Sequence, residues 1–280
     1  MRLDGERESG NVEDRRGRGG RGLVIGGGGT LIVLLVALLM GADPRALLQQ
    51  LETQSVETGQ TPPAAAPGAE ASDAGRRFVA QVLASTEDVW REQFRQQGRE
   101  YQEPTLVLFS DATESACGMA GSAVGPFYCP SDRKVYIDLG FYDELKNRFG
   151  ASGEFAEAYV LAHEIGHHIQ KLIGVEEKVH AAQERNPGAA NHLSVDLELQ
   201  ADCFAGVWGH ATDQRKLLDP GEVKEGLNAA AAVGDDRLQK MATGHVNPES
   251  FTHGSSEQRM DWFQKGFSTG DMSACNTFTQ

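Results

Sequence analysis

Apolar positions recur at helical spacing in four stretches of this chain. In "RRFVAQVLASTEDVWREQFRQQG", Phe78, Val82, Val89, Trp90 and Phe94 share a face and Gly98 ends the run, predicting a helix from about residue 76. "SGEFAEAYVLAHEIGHHIQKLIG", residues 152–174, predicts a long helix with Ser152 as its cap and Gly174 as its stop. Its apolar side is Val160, Leu161, Ile165, Ile169 and Leu172. Leu197, Leu199, Ala201, Phe204 and Val207 mark a third helix over about 194–208, and "SEQRMDWFQKGF" marks a fourth near the C-terminus. Residues 175–193, with "RNPGAAN", read as looser chain. Strand character appears in "TLVLF" (105–109) and in "GPFYCPSDRKVYIDL" (125–139), two short strands around a Pro-Ser-Asp turn. Helices and a few strands in irregular order predict an α+β fold rather than a doubly wound sheet.

The pattern fails towards the N-terminus. Residues 1–21, "MRLDGERESGNVEDRRGRGGR", carry many charges and no apolar period, and are expected to be disordered. Residues 22–42, "GLVIGGGGTLIVLLVALLMGA", are uncharged over about the 20 residues a helix needs to cross a bilayer. Their glycine run weakens the helix in its first half. Arginines at 15, 16, 18 and 21 precede this stretch. On the positive-inside rule they hold the N-terminus in the cytoplasm, giving a single-pass anchor in the inner membrane with the rest of the chain outside. A cleaved signal peptide competes, although the charged region before it is long and no A-x-A site follows. Both readings export what comes after. Residues 43–75, rich in Pro, Ala and Gly from 52 onward, read as a linker, and 76–280 as the folded domain.

Acidic residues outnumber basic ones by 40 to 26, and the formal net charge of −14 excludes nucleic acid as an expected partner, since binding it depends on neutralising phosphates. The four cysteines are an even count. In an oxidising compartment Cys117 with Cys129 and Cys203 with Cys275 is the natural pairing among three, free thiols being the alternative.

The helix over 152–174 carries the chemistry. His163 and His167 lie four apart, hence on one face, where both imidazoles can meet one ion. Glu164 sits one position round from His163, able to touch a water on that ion without coordinating it. Polar groups at the centre of a half-buried helix need a reason. Two histidines leave a zinc site incomplete, because a catalytic zinc takes three protein ligands and keeps a position for water. "ELQAD" on the third helix supplies Glu198 as the third ligand and, one turn on, Asp202 to accept the free ring N–H of a ligating histidine. These ligands serve one zinc per chain, and the donor set suits zinc best among divalent ions. Glu164 would take a proton from the activated water and pass it to the leaving amine. His168 points about 100° away from His167 on an ideal helix and is expected to be a structural or surface residue rather than a ligand. His180, His192, His210 and His245 have no partner recognisable in sequence.

Four blocks add a family likeness. "HEIGHH" with "ELQADCFAG" resembles the gluzincin metallopeptidases, whose third ligand is the glutamate of an E-x-x-x-D motif on a second helix. With "ESGNVEDRRG", "GPFYCPSDRKVYID" and "THGSSEQR" (252–259), the chain more closely resembles a bacterial family of neutral zinc metallopeptidases. The resemblance implies a gluzincin-like core, a strand along the substrate cleft, and a peptide or protein substrate. It also implies that His253 is the late histidine that gluzincins aim at the carbonyl oxygen, with a helix-capping histidine as the plainer reading. Arg259 is then either a second source of charge or an anchor on Asp202 or Asp261. The expectation is a membrane-anchored zinc peptidase. The alternative, a non-catalytic zinc-binding interaction module, would be expected to lack Glu164.

Overall fold

Within residues 1–16 and 68–278, which the computed structural model describes, the first half of the chain builds the sheets. These elements are β1 (Val12–Asp14), α1 (Gly68–Gln96), β2 (Thr105–Phe109), β3 (Ala112–Ser115), β4 (Gly118–Gly121), β5 (Phe127–Cys129), β6 (Lys134–Asp138) and α2 (Gly140–Asn147). Helices make up most of the rest: α3 (Glu154–Ile173), α4 (Val175–Arg185), α5 (Ala190–Gln214), α6 (Glu222–Ala232), α7 (Asp235–Thr243) and α8 (Ser256–Thr269). The fold is helix-rich α+β, as the irregular order of elements predicts.

The main sheet runs β1-β2-β6-β5, with β1 and β6 parallel to β2 and β5 antiparallel to β6. Side chains alternate across it. Leu106 and Leu108 join the helical core with Val82, Leu83, Trp90 and Phe155, whereas Val107 and Phe109 turn to the other face with Cys129 and Tyr136. Cover on both faces is why "TLVLF" is almost wholly apolar rather than alternating. A disulfide from Cys117, in the β3–β4 turn, to Cys129 ties that hairpin to β5, and Cys203–Cys275 ties α5 to the segment after α8. Both expected pairings are present.

The helical layer is packed through its large rings. Trp208 on α5 stacks on Phe155 of α3 with centroids 5.5 Å apart, and Trp90 of α1 meets Phe204 edge-on at the same distance. Between α5 and α8 the contact is backbone to backbone. A Cβ on Gly266 would stand 1.9 Å from the carbonyl oxygen of Cys203, so only glycine fits there.

Several expectations change. Residues 1–16 are ordered: Met1–Arg15 forms one compact unit with Gly75–Gln280. β1 pairs with β2 in the register Val12–Leu106, Glu13–Val107 and Asp14–Leu108, and Leu3 is buried. The segment shows no apolar period because its polar groups find partners on α1 instead of water; the fully buried Glu87 receives hydrogen bonds from Arg7, Ser9 and Asn11. α1 starts at Gly68, inside the stretch read as linker, where Ala69, Glu70 and Ala71 after Pro67 favour helix. The loose stretch 175–193 is mostly helical, α4 and the start of α5 separated by a short 3-10 turn at Pro187–Ala189. Gly153, not Ser152, caps α3, and no side-chain cap bond forms. Glu154 and Glu157 complement the first turn instead. The stretch 22–42 lies outside the described residues, among which no helix is long and apolar enough to cross a membrane.

Candidate metal centre

The centre is built where α3 crosses α5. A Cβ on Gly166 would lie 2.9 Å from both the Cα and the carbonyl oxygen of Ala201, so the two backbones touch at this pair. His163 and His167 stand three residues before and one after Gly166. Glu198 and Asp202 stand three before and one after Ala201. Each helix therefore presents its pair on the face turned to the crossing.

There the side chains meet. His163 Nε2 is 3.1 Å from Glu198 Oε2, and His167 Nε2 is 3.5 Å from Glu198 Oε1. One donor atom from each of the three lies within 4.8 Å of the others. An ion held at about 2.0–2.2 Å by nitrogen and carboxylate oxygen sets tetrahedral donors roughly 3.3–3.6 Å apart, so the spacing fits a zinc-sized cation. Both imidazoles turn Nε2 inward, and each Nδ1 has an acceptor behind it. His163 Nδ1 lies 2.9 Å from Asp202 Oδ1, and His167 Nδ1 lies 2.9 Å from Gln170 Oε1. With the ring N–H at Nδ1, the lone pair at Nε2 is free for a metal.

The acceptors are themselves fixed. Asp202, fully buried, takes Arg259 Nε at 2.8 Å, Arg259 Nη2 at 3.0 Å and the Tyr159 hydroxyl. Of the two anchors open to Arg259 in sequence, it takes Asp202. Gln170 donates to the Leu197 carbonyl at 2.6 Å and to Gln200 Oε1 at 3.2 Å. Burial opposes charge on His163, but Asp202 and Glu198 raise it to about 10. Burial would raise Glu198, yet the His167 and His163 imidazoles and Arg259 hold it well below the usual carboxylate range. Burial would also raise Asp202, and Arg259 and His163 keep it ionised. Glu198, kept charged against two imidazoles, completes a donor set for a divalent cation, with Asp202 held behind it on His163 Nδ1.

A cleft of about 750 Å³ opens over these donors, lined by Glu164 and by His253 as well as by the three. Phe127 and Tyr128 on β5, the terminal strand of the sheet, form part of its wall. His253 is half-exposed, its Nδ1 3.2 Å from Asp235 Oδ1, and Asp235 Oδ2 takes the backbone N–H of Thr252 and His253 at 2.6 Å each. The cap of α8 belongs to Ser255, which forms a capping box with Gln258, so His253 is not the cap. His168 faces away from the donors, held between Tyr128 and the Gln102 carbonyl, and burial lowers it to about 4.

Three participants were not singled out in sequence. Gln170 stands three residues after His167, a helical neighbour whose spacing alone could have suggested it. Tyr159 is likewise one turn before His163. Asp235 lies on another element, and no local pattern links it to His253.

The family described as "Putative neutral zinc metallopeptidase" matches residues 1–278. The uncharacterized protein YpfJ of Escherichia coli (strain K12) is 49% identical over 99% of each chain. The uncharacterized protein Rv2575 of Mycobacterium tuberculosis (strain ATCC 25618 / H37Rv) is 43% identical over 87% of this chain and 85% of its own. No solved structure matches. The family match runs through α3, α5 and α8 and the N-terminal strand alike, and this chain belongs to that metallopeptidase family.

Proposed function

We propose that this protein is a zinc-dependent peptidase binding one zinc per chain through His163, His167 and Glu198. The observation that carries the reading is that Glu164 opens onto the same cleft as the three donors, beside His163 but outside the donor set. A bound zinc would supply Lewis acidity to a scissile carbonyl and acidify a water. Glu164 would accept a proton from a water in the cleft and pass it to the leaving amine. His253, held by Asp235 on the cleft wall, donates to the oxygen that gains charge; losing such a donor typically costs about 10²–10³ in rate. Asp202 and Gln170 keep the two imidazoles in the tautomer that binds metal. β5, terminal in its sheet, offers an edge to which an extended peptide can add as a strand, as the likeness to gluzincins implies. Two disulfides and no free cysteine among the described residues favour work outside the cytoplasm.

The test uses the full-length chain loaded with zinc and an unstructured protein such as casein. Glu164→Gln should keep one zinc per chain and lose cleavage by about 10²–10⁴-fold. Cleavage at the normal rate by that variant would remove Glu164 from the chemistry. A zinc-loaded wild-type protein that cleaves nothing would favour the non-catalytic module.

A further inference from the structure

We infer that residues 2–15 and the domain formed by residues 75–280 lie on the same side of any membrane this protein meets. Three sets of contacts hold the N-terminal segment in the domain. Along the backbone, Arg2 N donates to the Leu217 carbonyl at 2.8 Å and Ser9 N to the Ala80 carbonyl at 2.9 Å. The strand adds Leu106 N to the Asn11 carbonyl and Arg15 N to the Leu108 carbonyl, each at 2.8 Å. In the core, Leu3 is buried and Val12 packs against the same cluster. Around Glu87, Arg7 Nη2 and Asn11 Nδ2 donate at 2.9 Å each and the Ser9 hydroxyl donates as well. Without the segment that buried carboxylate would keep Arg91 at 3.6 Å, and one edge of β2 would stand unpaired. A buried charged acceptor stripped of its donors is the expensive case, so this docking is part of the fold rather than an adhesion to it.

Arg15 bears on topology directly. It is one of the arginines that the positive-inside rule would assign to the cytoplasm. Its Nε bonds Glu13 at 2.9 Å, its Nη1 donates to the Glu114 carbonyl at 3.0 Å, and its guanidinium lies 5.7 Å from the centroid of the Tyr136 ring. A residue paired with the strands of a domain cannot also mark the opposite face of the membrane from it.

The inference does not depend on which copy supplies the strand. A β1 exchanged between two chains must still share a compartment with the sheet it completes.

Labelling of the full-length chain in cells tests this. Asp4→Cys and Glu257→Cys each add one thiol at an exposed position, the first on the N-terminal segment and the second on α8. A membrane-impermeant maleimide is applied before and after the membrane is opened. The two thiols should behave alike, both reacting in intact cells or both only after opening. If one reacts in intact cells and the other only after opening, the inference falls. A second measurement asks whether the docking exists in the purified chain. Ser9→Ala with Asn11→Ala should lower the melting midpoint by at least about 5 °C, and an unchanged midpoint would overturn it.

Discussion

Asp202→Asn keeps the shape of the side chain and removes its charge. The carboxylate accepts two bonds from Arg259, at 2.8 and 3.0 Å, along with the Tyr159 hydroxyl and His163 Nδ1. In the variant Arg259 stays buried, with the Glu198 carboxylate at 3.9 Å as its remaining anionic neighbour. Breaking a buried pair by removing one partner costs about 3–5 kcal/mol. At about 2–4 °C per kcal/mol for a domain of this size, the metal-free protein should melt about 6–20 °C lower. His163 also loses a charged acceptor, and weakening such an outer partner costs about 10–100-fold in metal affinity. Arg259→Met in the same chain separates the two effects. With both charges gone stability should largely return, since apolar replacements of buried pairs are often neutral or better. Zinc affinity should not return, because His163 still has a neutral amide oxygen in place of its carboxylate acceptor. Calorimetry of the metal-free protein reads the first effect, and competition with a fluorescent zinc chelator reads the second. If Asp202→Asn leaves both unchanged, Asp202 anchors neither neighbour. If the double variant recovers zinc affinity as well as stability, Asp202 does not orient His163.

Gln170→Leu should weaken zinc binding about 10–100-fold through His167, with Glu164→Gln as a control that leaves affinity unchanged; equal affinities for all three proteins would exclude a role for Gln170. The hydrogen bond to Asp235 raises His253 above its ordinary range. A group raised in the folded state stabilises below its unfolded value of about 6.5 and loses that contribution as pH climbs through the folded value. If protonated His253 is the donor, kcat/KM falls over the same climb and Asp235→Asn moves that fall to lower pH; a limb that stays put in Asp235→Asn assigns it to another group. Of the two disulfides, Cys117–Cys129 has an exposed cysteine and Cys203–Cys275 is buried at both ends, so graded reduction followed by alkylation should open the first before the second. Replacing both cysteines of a bridge by serine should cost about 3 kcal/mol for the separation of 12 residues and about 4 kcal/mol for that of 72.

What could be read from the sequence was whatever a short period encodes. His163, His167, Glu198 and Asp202 each belong to a pair four apart on one helix, so their shared faces followed from spacing alone. That the two faces meet depends on Gly166 against Ala201, a contact between residues 35 apart that no local pattern announces. The N-terminal segment misled for a related reason. Its charges resemble those of a solvated tail, and only the tertiary position of Glu87, 78 residues beyond Ser9, turns them into partners. A fragment cut at residue 76, the boundary that composition suggests, would therefore lack a strand of its own sheet.

Gly266 lies seven residues beyond Arg259, about two turns and 10 Å along α8, and touches neither the metal donors nor the cleft. Yet the backbone contact it allows with Cys203, together with that of Gly206 on the Phe263 carbonyl, lets α8 lie close enough to α5 for Arg259 to reach Asp202. The candidate metal centre thus depends on a residue with no side chain. A random-mutagenesis search for variants that fold but no longer retain zinc should therefore recover substitutions at Gly266 alongside those at the ligands themselves. The target for inherited loss of the metal extends well past the residues that would hold it.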